Sequence, residues 1–144
     1  MKDTGHRIGR IVGSGDCDAL GHMNVGYYFL FCGEAAMSMQ NAIGWTPGAA
    51  NDGRRYSFVL VKSESAFYGE LLAGDKVTIE CACTGFGTKS GQFRNSIYSE
   101  DGRLIFRTWW KSALMDLDSR RAVELPEDLK EALKQVFVQE DITV

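Results

Sequence analysis

At 144 residues the chain has the length of one domain, with enough residues to bury a core without disulfide or metal staples. A composition of 44% hydrophobic and 24% charged residues excludes a largely disordered protein. The net charge of −3, with basic residues scattered, argues against a broad nucleic-acid surface and leaves room for a local basic patch against one phosphorylated ligand.

The opening MKDTGHRIGR has no apolar core of the secretion-signal kind, and no apolar run is long enough to span a bilayer. A soluble, cytoplasmic protein without membrane or nucleic-acid partners is therefore expected. No repeat, low-complexity tract or linker interrupts residues 1–144, which read as a single domain. His6 to Val12 reads as a short strand, broken by Gly13-Ser14-Gly15.

From Val25 to Ile43 the residues Val25, Tyr28, Cys32, Ala35, Met39 and Ala42 recur at three- and four-residue steps, the helical period. Asn24 stands where an N-cap side chain would accept an orphan N–H, and Gly44 closes the run. Glu34 is the only charge between Asn24 and Ile43, so this helix must be wrapped on most sides. Gly33, Ala35 and Ala36 are small enough to let a sheet approach it closely.

After the loop Trp45 to Arg55 the chain reads as strands. Phe58 to Phe67 is the first, with Gly69 to Gly74 as its bend. Val77, Ile79, Cys81 and Cys83 then alternate with more polar neighbours, a strand with one wet face. Gly85 to Gly91 is a turn, Gln92 to Tyr98 a strand, Asp101-Gly102 a hairpin signal, and Leu104 to Leu117 the last strand. Pro126 suits a helix first turn, and Leu129, Leu133, Val136 and Phe137 give the closing helix its apolar stripe.

The order is strand, buried helix, four strands in antiparallel meander fashion, short helix. It predicts an α+β design in which one five-stranded sheet wraps one apolar helix. A single curved sheet covers one side of that helix, so a homodimer is expected, with a dimer of dimers as the larger form. The cysteines Cys17, Cys32, Cys81 and Cys83 lack zinc-site spacing and read as small apolar filler, and no metal site is expected.

Chemistry concentrates in DCDALGHMNVGYY, residues 16–28. Asp16, Asp18, Gly21, His22, Asn24 and Tyr28, followed by the buried helix and by Gly74-Asp75, resemble the hot-dog fold acyl-CoA thioesterases of the 4-hydroxybenzoyl-CoA thioesterase type. The resemblance implies a hot-dog fold and hydrolysis of an acyl-CoA to an acid and free CoA. No cofactor is implied, since CoA is part of the substrate. It also implies that the second aspartate, Asp18, acts, either as nucleophile or as general base on water.

Thioester cleavage needs a carboxylate or activated water beside the carbonyl, and donors for the oxyanion. A helix N-terminus supplies unpaired N–H groups and a positive dipole end. The backbone N–H of Val25 is the first candidate donor and that of Gly26 the second; Gly26 has no side chain to hinder an acyl group.

His22 reads as a hydrogen-bonding anchor or an acid–base group, Asn24 as the cap that orients the centre, and Asp16 as a turn former. Related plant acyl-carrier-protein thioesterases use an Asp-x-Asn-x-His series; here Leu20 stands where the asparagine belongs, which leaves Asp18 acting largely with backbone donors. Glu34 is the competing acid, although a salt bridge across the dimer is the plainer expectation for it.

Arg54, Arg55, Lys89, Arg94, Arg120 and Arg121 are candidates for the CoA phosphates or ordinary surface charges. Tyr27, Tyr28, Phe31, Trp45, Tyr56 and Phe58 are candidates for the acyl site or for core. Two other readings stay open: a non-catalytic acyl-CoA-binding hot-dog module, and a hot-dog hydratase or dehydratase. The second is disfavoured because His6 and His22 are the only histidines.

Overall fold

The computed structural model describes residues 5–46 and 53–140. Asn24 caps the long helix as its side chain predicts, its Oδ1 accepting the Gly26 N–H at 3.0 Å, and α1 runs Val25–Ala42 to the left-handed Gly44. Around α1 lies one antiparallel sheet of five long strands: β1 (His6–Ile11), β2 (Tyr56–Phe67), β3 (Lys76–Phe86), β4 (Ser90–Ser99) and β5 (Leu104–Asp116). A two-residue β6 (Arg121–Ala122) adds to the end of β5, and α2 (Glu127–Leu133) follows. This is the hot-dog architecture, one long helix against a curved sheet.

The core forms where the α1 stripe Tyr28, Phe31, Cys32, Ala35 and Met39 meets Val77, Ile79, Cys81 and Cys83 of β3 and Phe93 and Ile97 of β4. Leu129 and Leu133 of α2 join the same cluster. Cys32, Cys81 and Cys83 are buried free thiols, and Cys17 is a half-buried one.

Strand order differs from the expected four-strand meander. Only β3, β4 and β5 follow one another; β2 is carried to the far edge, with Tyr56 opposite Asp116 and Phe67 opposite Phe106, giving the order β1-β3-β4-β5-β2. The segment after β2 must therefore cross the end of the sheet to reach β3 rather than turn back in a hairpin. Backbone bonds pin that crossing: Met23 N–H to Leu71 O at 2.7 Å, Gly74 N–H to Val12 O at 2.7 Å and Val12 N–H to Asp75 O at 2.9 Å.

Smaller differences have local causes. β3 continues through a bulge at Cys83/Gly85 to Phe86, which shortens the expected Gly85–Gly91 turn to residues 87–89. Pro126 is the cap of α2 rather than its first residue; Val136 falls in the 3-10 turn after it and Phe137 pairs with Cys83. Most of the expected Trp45–Arg55 loop, residues 47–52, lies outside the described residues.

The helix is not wrapped within one chain. Leu30 and Met37 on α1 are 50% and 57% exposed, and Val59, Leu60 and Val61 of the edge strand β2 are exposed too.

Candidate active site

The segment before α1 folds into a small closed turn. Cys17 bridges Met23, Asp18 N–H donates to His22 O at 3.0 Å and Gly21 N–H to Asp18 O at 3.0 Å. Gly21 takes a φ of +91°, a conformation an L side chain resists. Asp16 closes the preceding turn, its Oδ2 accepting the Gly13 N–H at 2.8 Å.

The turn projects Asp18 beside the helix start. Its Oδ1 accepts the Leu20 N–H at 2.8 Å, and its Oδ2 stands 3.8 Å from His22 Nε2. The other ring nitrogen of His22 lies 3.5 Å from Glu70 Oε2. An imidazole therefore sits between two carboxylates, one from the turn and one from the crossing segment.

These groups open onto a cleft of about 370 Å³ lined by Asp18, His22, Met23, Asn24, Val25, Tyr28, Phe67, Gly69 and Glu70. The helix end offers donors of unequal freedom. Gly26 N–H is engaged by the Asn24 cap and Tyr27 N–H donates to Asn24 O at 3.0 Å, whereas Val25 N–H has no partner among the described residues. Tyr28 is buried against Phe67 and Phe106, with ring centroids 5.2 and 5.1 Å away. Burial first, and the Glu70 charge with it, push its phenol above the usual tyrosine range despite a lowering hydrogen bond at the Leu71 backbone. It stays neutral at the cleft wall.

The structure thus brings together Asp18, His22, Asn24, Val25 and Tyr28, with Gly26 alongside. The other sequence candidates lie elsewhere. Phe31 is fully buried under the Arg10 guanidinium, 4.3 Å from its ring, and is core rather than cleft wall; Tyr27 is half-buried against the same core. Glu34 pairs with Arg10 of its own chain.

Arg54 bonds Asp128 at 2.8 Å and stacks over Trp45, and Arg55 bonds Asp118 at 2.8 Å, so both serve ion pairs far along the fold. Tyr56 accepts the Trp45 indole N–H on its carbonyl, and Phe58 lines a second cleft near the far end of α1. Arg94 is held between Glu80 and Glu140. Among the described residues no group of three or more His, Cys, Asp or Glu side chains is arranged to hold a metal ion.

Sequence reasoning missed Glu70, Phe67 and Gly69. The glycine-bracketed stretch after β2 reads as a bend, and nothing local shows that it crosses to the helix start.

The family model described as the thioesterase-like superfamily matches residues 12–133. No curated protein sequence matches the chain. Among solved structures, the fold is similar to that of a hypothetical protein from Staphylococcus aureus in complex with CoA, at TM-score 0.83 and 18% identity over 100% of this chain and 91% of that one. It is also similar to a 1,4-dihydroxy-2-naphthoyl-CoA thioesterase from Synechocystis, at TM-score 0.77 and 18% identity over 91% and 96%. A mutant 4-hydroxybenzoyl CoA thioesterase complexed with 4-hydroxybenzoyl CoA gives TM-score 0.80 and 21% identity over 88% and 96%.

Proposed function

The chain belongs to the thioesterase-like superfamily and is a thioester hydrolase, and on that footing we propose that it cleaves an acyl-CoA with Asp18 as general base. One observation carries the reading: a half-exposed carboxylate and an unpartnered helix-terminal N–H, that of Val25, line the same cleft. The acyl carbonyl oxygen sits at Val25 N–H, where the helix dipole favours the developing negative charge. Asp18 Oδ2 takes a proton from water as its oxygen attacks the carbonyl carbon. The tetrahedral intermediate then collapses, the C–S bond breaks, and the proton on Asp18 passes to the departing CoA sulfur. His22, held between Asp18 and Glu70, keeps the Asp18 carboxylate turned into the cleft. Asn24 fixes the helix start and takes the Gly26 N–H, which leaves Val25 as the principal oxyanion donor.

The route needs no cofactor beyond the CoA carried by the substrate. We place the working unit as a dimer, because Leu30 and Met37 of α1 and Val59, Leu60 and Val61 of the edge strand β2 leave exposed apolar surface that a second copy would cover. Release of free thiol from a panel of acyl-CoAs tests the activity; absence of hydrolysis across the whole panel would favour a binding module instead. Single turnover in ¹⁸O water separates the two roles of Asp18. Label appearing in the Asp18 carboxyl shows a mixed anhydride opened at the Asp18 carbon, whereas general-base catalysis puts the label in the product acid and none in Asp18.

A further inference from the structure

The backbone bond from Met23 N–H to Leu71 O, at 2.7 Å, ties the turn before α1 to the crossing after β2. His22 and Glu70 each stand one residue before a partner in that bond, which brings their side chains together. Glu70 Oε2 lies 3.5 Å from His22 Nδ1, while the other ring nitrogen, Nε2, lies 3.8 Å from Asp18 Oδ2. Tyr28 of α1 is the remaining titratable group on the cleft wall, and burial keeps its phenol neutral.

An acid at position 70 works against the chemistry of the cleft unless it has a task. The cleft has to stabilise an oxyanion, and a second carboxylate opposes that developing charge. No Lys or Arg is among the residues lining the cleft to offset the two acids. The His22 ring is the one ion-pair partner of Glu70 among the described residues, and the Glu70 side chain is 66% exposed. Exposed pairs of that kind add little to stability, so stability does not account for the acid. Its effect on the ring does. A carboxylate beside Nδ1 holds the hydrogen of the neutral imidazole there and leaves the Nε2 lone pair facing Asp18. A proton arriving on Asp18 Oδ2 then meets an acceptor.

We infer that His22 relays the proton from Asp18 to the departing CoA sulfur, and that Glu70 is the positioning residue that sets the tautomer for it. This deepens the Asp18 reading and rests on it. Attack by water leaves a proton on Asp18 Oδ2, and that proton passes to His22 Nε2. The ring is then an imidazolium, its Nδ1–H facing the Glu70 charge. When the C–S bond breaks, its electron pair goes to sulfur and the Nε2 proton follows. Asp18 ends as a carboxylate and His22 as a neutral imidazole, with nothing oxidised or reduced. The order of group types favours this direction: carboxylic acids titrate near about 4, imidazolium near about 6.5 and thiols near about 8.5.

The test uses the acyl-CoA of the panel that turns over fastest and the same acyl group carried on 5-thio-2-nitrobenzoate. The thiol of the second is acidic enough to leave as thiolate without a proton. In Glu70→Leu, which removes the acceptor at an exposed position, kcat for the CoA thioester is expected to fall about tenfold or more. On the nitrobenzoate thioester it is expected to stay within about twofold of wild type, because that step needs no relay. Glu70→Asp, which keeps an acceptor, is expected to recover part of the CoA rate. An equal fall on both thioesters, the mark of a merely structural role, would overturn the relay, and so would no fall on either.

Ring ¹⁵N shifts at alkaline pH read the tautomer without hydrolysis, with His22 assigned by the signal missing in His22→Gln. The hydrogen is expected on Nδ1 in wild type and on Nε2 in Glu70→Leu. A wild-type ring carrying it on Nε2 would overturn the role of Glu70. A wild type that cleaves no thioester of the panel fails the acyl-CoA reading and the relay with it, and the ring shifts then still decide what Glu70 does to His22.

Discussion

Asp18 divides its carboxylate, one oxygen committed to the Leu20 N–H and the other facing His22 and the cleft. The first bond sets the side chain's direction; the second oxygen is left for chemistry. The turn and the Asn24-capped helix were legible in DCDALGHMNVGYY, because both are written in local residue types, whereas the Leu20 bond of Asp18 was not, the turn-forming role having been expected of Asp16. Glu70 was not, because its place beside His22 depends on a crossing that no local pattern encodes. The buried thiols give a prediction at the same scale. Burial pushes Cys32 up to about 12 and Cys83 up to about 11, and drives Cys81 higher still. In the unfolded chain a thiol titrates near 8.5, so the unfolded state releases protons that the folded state keeps. The stability from these groups is full below about pH 8.5 and falls as pH rises toward the folded values. Urea midpoints measured between pH 7 and 10.5 should decline above pH 9, and native thiol labelling at pH 8 should modify Cys17 well ahead of the other three.

At the scale of elements, α1 and the crossing after β2 together make the site. The helix was readable from its period, its cap and its single charge. The crossing was not: Gly69 to Gly74 carries turn residues whatever strand follows, and the edge position of β2 follows from pairing with β5 across a long sequence separation. Leu71 anchors the crossing, being buried and accepting the Met23 N–H at 2.7 Å. Truncating it, Leu71→Ala, should cost about 2–4 kcal/mol by the usual scale for buried leucine, read as a lower denaturation midpoint. Because the same anchor sets Glu70 and Gly69 at the cleft, kcat should fall more than the stability loss alone explains at a temperature where the variant stays folded. A full kcat at that temperature would show the crossing to be scaffold only.

At the scale of the molecule, one chain leaves an apolar helix flank and an edge strand in contact with water. A helix with one charge leads to the expectation of a cover; the edge position of β2 is what the proposed dimer face adds to that expectation. Val61 is 65% exposed and set in the β2 bulge, on the edge strand of the proposed dimer face. Val61→Lys should leave the monomer's stability within about 0.5 kcal/mol, as exposed substitutions do, and shift sedimentation from dimer to monomer, since an unpaired charge at a buried interface is costly. A dimer that persists in Val61→Lys would move the interface elsewhere.

The account as a whole turns on one carboxylate. Its most direct test is the rate of free-thiol release from an acyl-CoA by wild type and Asp18→Asn, at matched folding and oligomeric state. The asparagine keeps the turn and its acceptor for Leu20 but holds no negative charge to draw a proton from water. A fall in kcat of about 10²–10⁴, the usual worth of a general base, is the predicted result. Hydrolysis by Asp18→Asn at the wild-type rate would contradict it.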